Sequence, residues 1–230
     1  MIEIKNIDVW GFEHAIRGMR NPFKSWELSD SEYCFGLSDD YCKFCSHWKD
    51  ETKECASSKG VYAVGEKDLK LMCKLYEGGT EHRKFLRQIF VSMDIKAPLY
   101  WWKEFDTYKI GIVANSESTM HTITKEKLGL EDFSCEEIKE EYRPAFCQIL
   151  NVCNEILEKA EADKAEWYSL IQMLPSSFNQ TRTVTMNYEN VFNILRQRGS
   201  HKLREWKVLC TTFLTTLPYV KWIVRGIKNV

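Results

Sequence analysis

Residues 2–9 alternate apolar and polar side chains, which predicts a first strand. Phe12, Ala15, Ile16 and Met19 then recur at helical spacing, and Asn21-Pro22 stops that helix. From about 24 to 60 no period is sustained, and the stretch reads as a long insertion. Such a loop is uncommon without a function or a staple. Residues 61–64 are a short apolar run that suits strand or helix. Leu69, Met72, Cys73 and Tyr76 mark a helix over 68–76, closed by Gly78-Gly79. Ile89, Val91, Met93 and Ile95 alternate with Ser92 and Asp94, the pattern of a half-buried strand. Pro98 suits the first turn of a helix carrying Tyr100-Trp101-Trp102, a triplet read as core packing before any stacking role.

Residues 106–123 look irregular. Ser134-x-x-Glu137 has the form of a capping box, predicting a long helical stretch with Ile149, Cys153, Ile156 and Leu157, broken or kinked at Pro144. The charged run 136–141 is then a solvated helix face. A further helix ends at Leu174-Pro175. Residues 181–186 alternate again as a strand. Two helices close the chain, over 189–196 and 202–217. The second turns Leu203, Trp206, Leu209, Cys210 and Phe213 inward and ends at Pro218. No repeat, low-complexity tract or linker divides the sequence. The expectation is one α+β domain over 1–230, a mixed sheet with packed helices and a cysteine-rich insertion at about 24–60.

Composition narrows the setting. Of 230 residues, 44% are apolar and 28% charged, ordinary for a globule. The 32 basic and 33 acidic residues nearly cancel, so no global field indicates a nucleic-acid partner. No apolar run approaches the ~20 residues of a membrane span. The amino terminus alternates instead of showing a signal peptide's layout, so a cytoplasmic protein is expected.

The nine cysteines are accordingly expected as thiols or metal ligands. Cys73, Cys147, Cys153 and Cys210 sit in apolar helical patterns and read as buried thiols. Cys42-x-x-Cys45, flanked by Cys34 and Cys55 with His47 nearby, is a candidate zinc tetrad. Its irregular outer spacing leaves four unliganded thiols as the alternative.

Three segments together resemble the flavin-dependent thymidylate synthases. Ile16-Arg17-Gly18-Met19-Arg20 is similar to that family's early V-R-A-A-R helix. Ile95-Lys96-Ala97-Pro98, within a stretch running from Gly78 to about Met120, is similar to its V-K-A-P strand-to-helix join. Leu174-Pro175 through His201 resembles its L-P, strand, helix and R-x-x-S-H stretch. The three touch about half the chain, in the family's order.

The resemblance implies roles residue by residue. His82 stands where the family has a flavin-contacting histidine, and Asn187 and Asn193 where it has flavin-contacting asparagines. Arg198 stands at a substrate-contacting arginine, and His201 near a following histidine. His82, Asn187, Asn193 and Arg198 also have plainer readings: a surface histidine, a turn residue, a solvated helix residue and a dipole-complementing arginine. The family's own signature is rewritten. Its R-H-R triplet falls on Thr107-Tyr108-Lys109 and its next arginine on Met120. The arginine before the L-P pair becomes Ile171.

That asymmetry matters because a nucleotide phosphate calls for guanidinium forks or helix N-termini, whereas a flavin site is built from amides, a histidine and aromatic walls. Lys109, Arg17, Arg20, Arg83, Arg87 and Arg182 are the cations that could replace the lost ones. The resemblance thus implies an FAD-binding, homotetrameric protein acting on a pyrimidine nucleotide or analogue by flavin hydride and one-carbon transfer. The other reading is a catalytically inactive descendant kept as a nucleotide- or protein-binding module.

Overall fold

The computed structural model describes residues 2–34, 48–49, 54–55, 61–160 and 163–224, with backbone alone at 48–49, 54–55 and 61. The strands are β1 (Glu3–Trp10), β2 (Glu32–Cys34), β3 (Trp48–Lys49), β4 (Glu54–Cys55), β5 (Val61–Ala63), β6 (Phe90–Pro98), β7 (Ile112–Ser116) and β8 (Asn179–Asn187). The helices are α1 (Phe12–Arg20), α2 (Glu66–Glu77), α3 (Leu99–Phe105), α4 (Thr119–Thr122), α5 (Arg143–Ala160), α6 (Lys164–Met173), α7 (Tyr188–Arg198), α8 (Arg204–Thr216) and α9 (Val220–Val224). A 3-10 helix, Arg83–Gln88, leads into β6. One four-stranded sheet has the order β1-β6-β8-β7, and β2-β5 and β3-β4 form two small antiparallel pairs. This is an α+β fold.

The two central strands are those with the clearest alternation. Ile89, Val91, Met93 and Ile95 are all buried, while Ser92 and Asp94 stay half-exposed. On β1 the alternation slips at Lys5 and Asn6, which are both exposed. Asn6 takes the slip at φ 53, a left-handed position that asparagine tolerates. Asp94 holds the neighbouring strands by accepting from Asn6 Nδ2 (2.7 Å) and Thr183 Oγ1 (2.6 Å).

Two expectations are corrected. The stretch 106–123 is not wholly irregular, because β7 and α4 lie in it. β7 is an edge strand with four of its five residues exposed, so it carries no alternation to read. The long helix does not open at Ser134. That residue's N–H and hydroxyl are taken by Ser177 O and Asn179 Oδ1, both at 2.8 Å, and the helix begins at Arg143. Pro144 is therefore a first-turn proline and breaks nothing.

The residues group into two compact units. The first comprises Met1–Ile7 and Met93–Val184, and the second Asp8–Ser92 and Thr185–Val230. In the first, α5 packs on α6 around Phe133, Cys153, Ala160 and Leu170. Asn154 is buried there and satisfied, bonding both the N–H and the carbonyl of Leu128 at 2.9 and 3.0 Å. Trp101 and Trp102 are core residues, as the sequence suggests, with Phe105 buried beside them, while Tyr100 is only half-buried.

The second unit holds α1, α2, the 3-10 helix, α7, α8 and α9. Gly11 makes its packing possible. At φ 96, any Cβ would meet Gln88 O at 2.1 Å, so only glycine lets α1 begin against the end of the 3-10 helix. Phe12 packs edge-on against Tyr188 and Tyr219. The Tyr188 and Tyr219 hydroxyls reach Pro218 O and Val64 N at 3.0 and 2.9 Å, which satisfies both phenols inside the core.

Candidate functional site

Of the nominated ligand-contacting residues, Arg17, Arg20, His82, Asn187, Asn193 and Arg198 lie in the second unit, while Lys109 lies in the first. The local sequence explains how they are presented. Asn187 ends β8 and caps α7, its side chain accepting from Asn190 N at 3.1 Å. Asn193 follows on α7, half-buried, and accepts from Arg196 Nη2 at 3.3 Å. Arg198 closes the same helix, with its guanidinium 4.9 Å from the centre of the fully buried Trp206 ring. His82 is the residue before the 3-10 helix and its ring lies against Gly78. His201 is half-buried, accepts from Leu203 N at 3.2 Å and sits edge-on to Trp206.

The 3-10 helix packs against both α1 and α7. The segment after His82 and the helix bearing Asn193 and Arg198 are therefore neighbours.

Arg20 is placed otherwise than a phosphate contact requires. It is buried and its guanidinium is taken up: Nε and Nη2 each lie 2.6 Å from Asp68 Oδ1, and Nη1 donates to Ser25 O at 3.2 Å. The hydroxyls of Ser29 and Ser31 donate to Asp68 Oδ2, each at 2.6 Å. Asp30 in turn accepts from the N–H groups of Lys67 and Asp68 at the start of α2. Arg20 thus ties residues 25–31 to α2. Arg17 is exposed on α1, and Lys109 is exposed in the first unit, between α3 and β7. Arg182, also in the first unit, stacks on Trp102 at 4.2 Å and pairs with Asp106 at 2.8 Å.

A charged group that the sequence patterns do not single out lies between the 3-10 helix and α7. Glu189, Asn193 and Arg196 are spaced i, i+4, i+7 and share one stripe of α7. Glu189 pairs with Arg87, and its Oε1 is 3.8 Å from Arg83 Nε. The Arg83 guanidinium sits 5.6 Å from the centre of the Tyr76 ring, and Tyr76 packs on Phe192 of α7 at 4.8 Å. Burial pushes the Tyr76 phenol up, and Arg83 and Arg196 pull it back, so both cations act on that hydroxyl. The i, i+4, i+7 spacing was the available signal, but the partners on the 3-10 helix were not legible from it.

The positions of the lost arginines carry no charge. Thr107 Oγ1 bonds back to Glu104 O at 2.7 Å, Ile171 packs against the core of the first unit, and Met120 is exposed. Of the zinc tetrad, Cys34 is half-buried in β2 and forms no disulfide, and Cys55 belongs to β4, while Cys42 and Cys45 lie outside the described residues. Among the described residues no group of three or more His, Cys, Asp or Glu is placed to hold a metal. Among them, too, no helix is long and apolar enough to cross a membrane.

No protein-family model matches the sequence, and no curated protein matches it. Solved structures do match. A thymidylate synthase X (ThyX) from Helicobacter pylori, with FAD and dUMP, superposes at a TM-score of 0.68 and 16% identity, covering 100% of both chains. A second structure of the flavin-dependent thymidylate synthase ThyX from Helicobacter pylori, complexed with FAD and dUMP, gives 0.60 at 15% identity, over 94% of this chain and 93% of that one. The chain has the flavin-dependent thymidylate synthase fold.

Proposed function

We propose that the chain is a flavin-binding, homotetrameric protein of the thymidylate synthase type that acts on a pyrimidine nucleotide. The carrying observation is the match along the whole chain to two structures that hold FAD and dUMP. The residues suit a flavin nucleotide on physical grounds. The second unit offers an amide in Asn193, an imidazole in His82, the buried wall of Tyr76 and Phe192, and a buried Arg83 Nε that makes no hydrogen bond among the described residues. In this reading His82, Asn187 and Asn193 hold FAD, which when bound supplies a hydride.

Arg198 holds the substrate. Stacking on Trp206 uses the face of its guanidinium and fixes the plane, while a bidentate phosphate contact uses the edge, so the two are compatible. Arg17, exposed on α1, is a second substrate contact. Arg20 is withdrawn from that role because Asp68 and Ser25 occupy it.

A second reading, a binding module without the reaction, is favoured by one observation: Thr107 and Ile171 are absorbed into local structure where the resemblance expects arginines. Calorimetric titration of the flavin-loaded protein with dUMP, followed by an assay for methylated product, separates the two. Each missing charge-assisted hydrogen bond is worth ~1.5–3 kcal/mol, so two uncompensated losses weaken dUMP binding about a hundredfold or more. Micromolar binding with methylation supports the enzyme and shows that the phosphate is gripped by other residues. Flavin retention with no dUMP binding supports the module.

A further inference from the structure

Three guanidinium groups meet between the 3-10 helix and α7 in the second unit: Arg83 and Arg87 share Glu189, and Arg83 and Arg196 both act on Tyr76. Only Glu189 among the described carboxylates pairs with any of them directly. Arg87 takes it with two donors, Nε and Nη2. Glu81 also acts on Arg87, through space. That leaves Arg83 with its side chain 13% exposed, its Nε buried without a hydrogen bond, and the nearest carboxylate oxygen 3.8 Å away. Arg196 donates to an amide oxygen, Asn193 Oδ1, at 3.3 Å.

A largely buried cation without its own hydrogen-bonded anion is costly, and an orphaned buried donor calls for a missing partner. The ring of Tyr76 offers Arg83 its face, which leaves the guanidinium edge as the direction for an anion. Of the other arginines that could restore the lost phosphate grip, Arg20 is committed to Asp68 and Arg182 to Asp106 and Trp102, while Arg17 is exposed on α1.

We propose that Arg83, Arg87 and Arg196 form an anion subsite for the phosphoryl oxygens of a nucleotide, with Glu189 as the internal counter-ion that the phosphate displaces in part. The chemistry is a phosphate monoester or diphosphate, and it has two sources under the proposed function, on which their identity rests: the diphosphate of FAD or the monophosphate of a pyrimidine nucleotide. The subsite itself rests on the charge geometry alone.

The test is calorimetry on the full chain with inorganic pyrophosphate, FAD, riboflavin, dUMP and deoxyuridine. The proteins are the wild type and the variants Arg83→Gln, Arg196→Gln and Glu189→Gln, each checked for wild-type thermal unfolding. The wild type binds pyrophosphate. Either arginine substitution weakens it about tenfold or more, and Glu189→Gln tightens it, a gain that a merely structural role would not produce. Arg83→Lys, which keeps charge but loses the fork, gives an intermediate loss and serves if Arg83→Gln does not fold.

Weakened FAD with unchanged riboflavin assigns the diphosphate, and weakened dUMP with unchanged deoxyuridine assigns the monophosphate. Arginine-dependent pyrophosphate binding without FAD or dUMP binding refutes the proposed function while the subsite stands. Absent pyrophosphate binding, or binding indifferent to all the substitutions, overturns the subsite.

Discussion

Asp68 illustrates how much a single residue organises. It is wholly buried, yet its two oxygens receive Arg20, Ser29 and Ser31, so its charge is paired and its lone pairs are occupied. Removing one member of a buried pair costs ~3–5 kcal/mol, because the other charge stays behind without compensation. Asp68→Asn is therefore expected to lower the unfolding free energy by about that much in urea titration. A loss below about 1 kcal/mol, the scale of an exposed pair, would show that Arg20 finds another partner. The pair was hidden in the sequence because its members are 48 positions apart and Arg20 belongs to a motif that suggested a ligand. Asn187 and Asn193 show the reverse case. Their spacing was legible; the structure makes Asn187 the cap of α7 and leaves Asn193 half-buried on that helix beside Arg196, and their flavin roles stay a proposal.

At the scale of elements, the strands at 90–98 and 179–187 and the helices α1, α2, α7 and α8 were readable because each buries one face against a core. β7 was not readable, since an edge strand exposed on both faces has no period. Ser134 misled because a capping motif reports a local possibility, and the long-range bonds to residues 177–179 took its place.

The cysteines divide along the same line. Cys153 and Cys210 are buried as expected and Cys73 is half-buried, but Cys147 is exposed, on the outer face of α5. Alkylation followed by peptide mass spectrometry should label Cys147 in the native state well before Cys153 or Cys210. Early labelling of Cys210 would contradict its placement.

Burial also pushes the Cys210 thiol up to about 11 from its ordinary 9.0. The unfolded thiol ionises first, so this group's contribution to stability is intact below pH 9 and is lost as pH rises toward 11. Cys210→Ala should flatten that alkaline decline even though it lowers stability at neutral pH.

For the whole molecule, the fold class and the family likeness were legible from three short segments in order, because they sit on elements whose burial patterns are strong. What those segments could not convey is where the charge went. The arginines of the resemblance are missing at Thr107, Met120 and Ile171, and the cations grouped around Tyr76 come from a 3-10 helix and one stripe of α7 that meet only on folding. The proposal that this fold holds a flavin nucleotide has a visible readout. It is tested most directly by the visible absorption spectrum of the purified protein, taken before and after incubation with FAD and removal of free ligand. The expected result is a flavin spectrum that stays with the protein at one FAD per chain. A colourless protein that retains no FAD would contradict it.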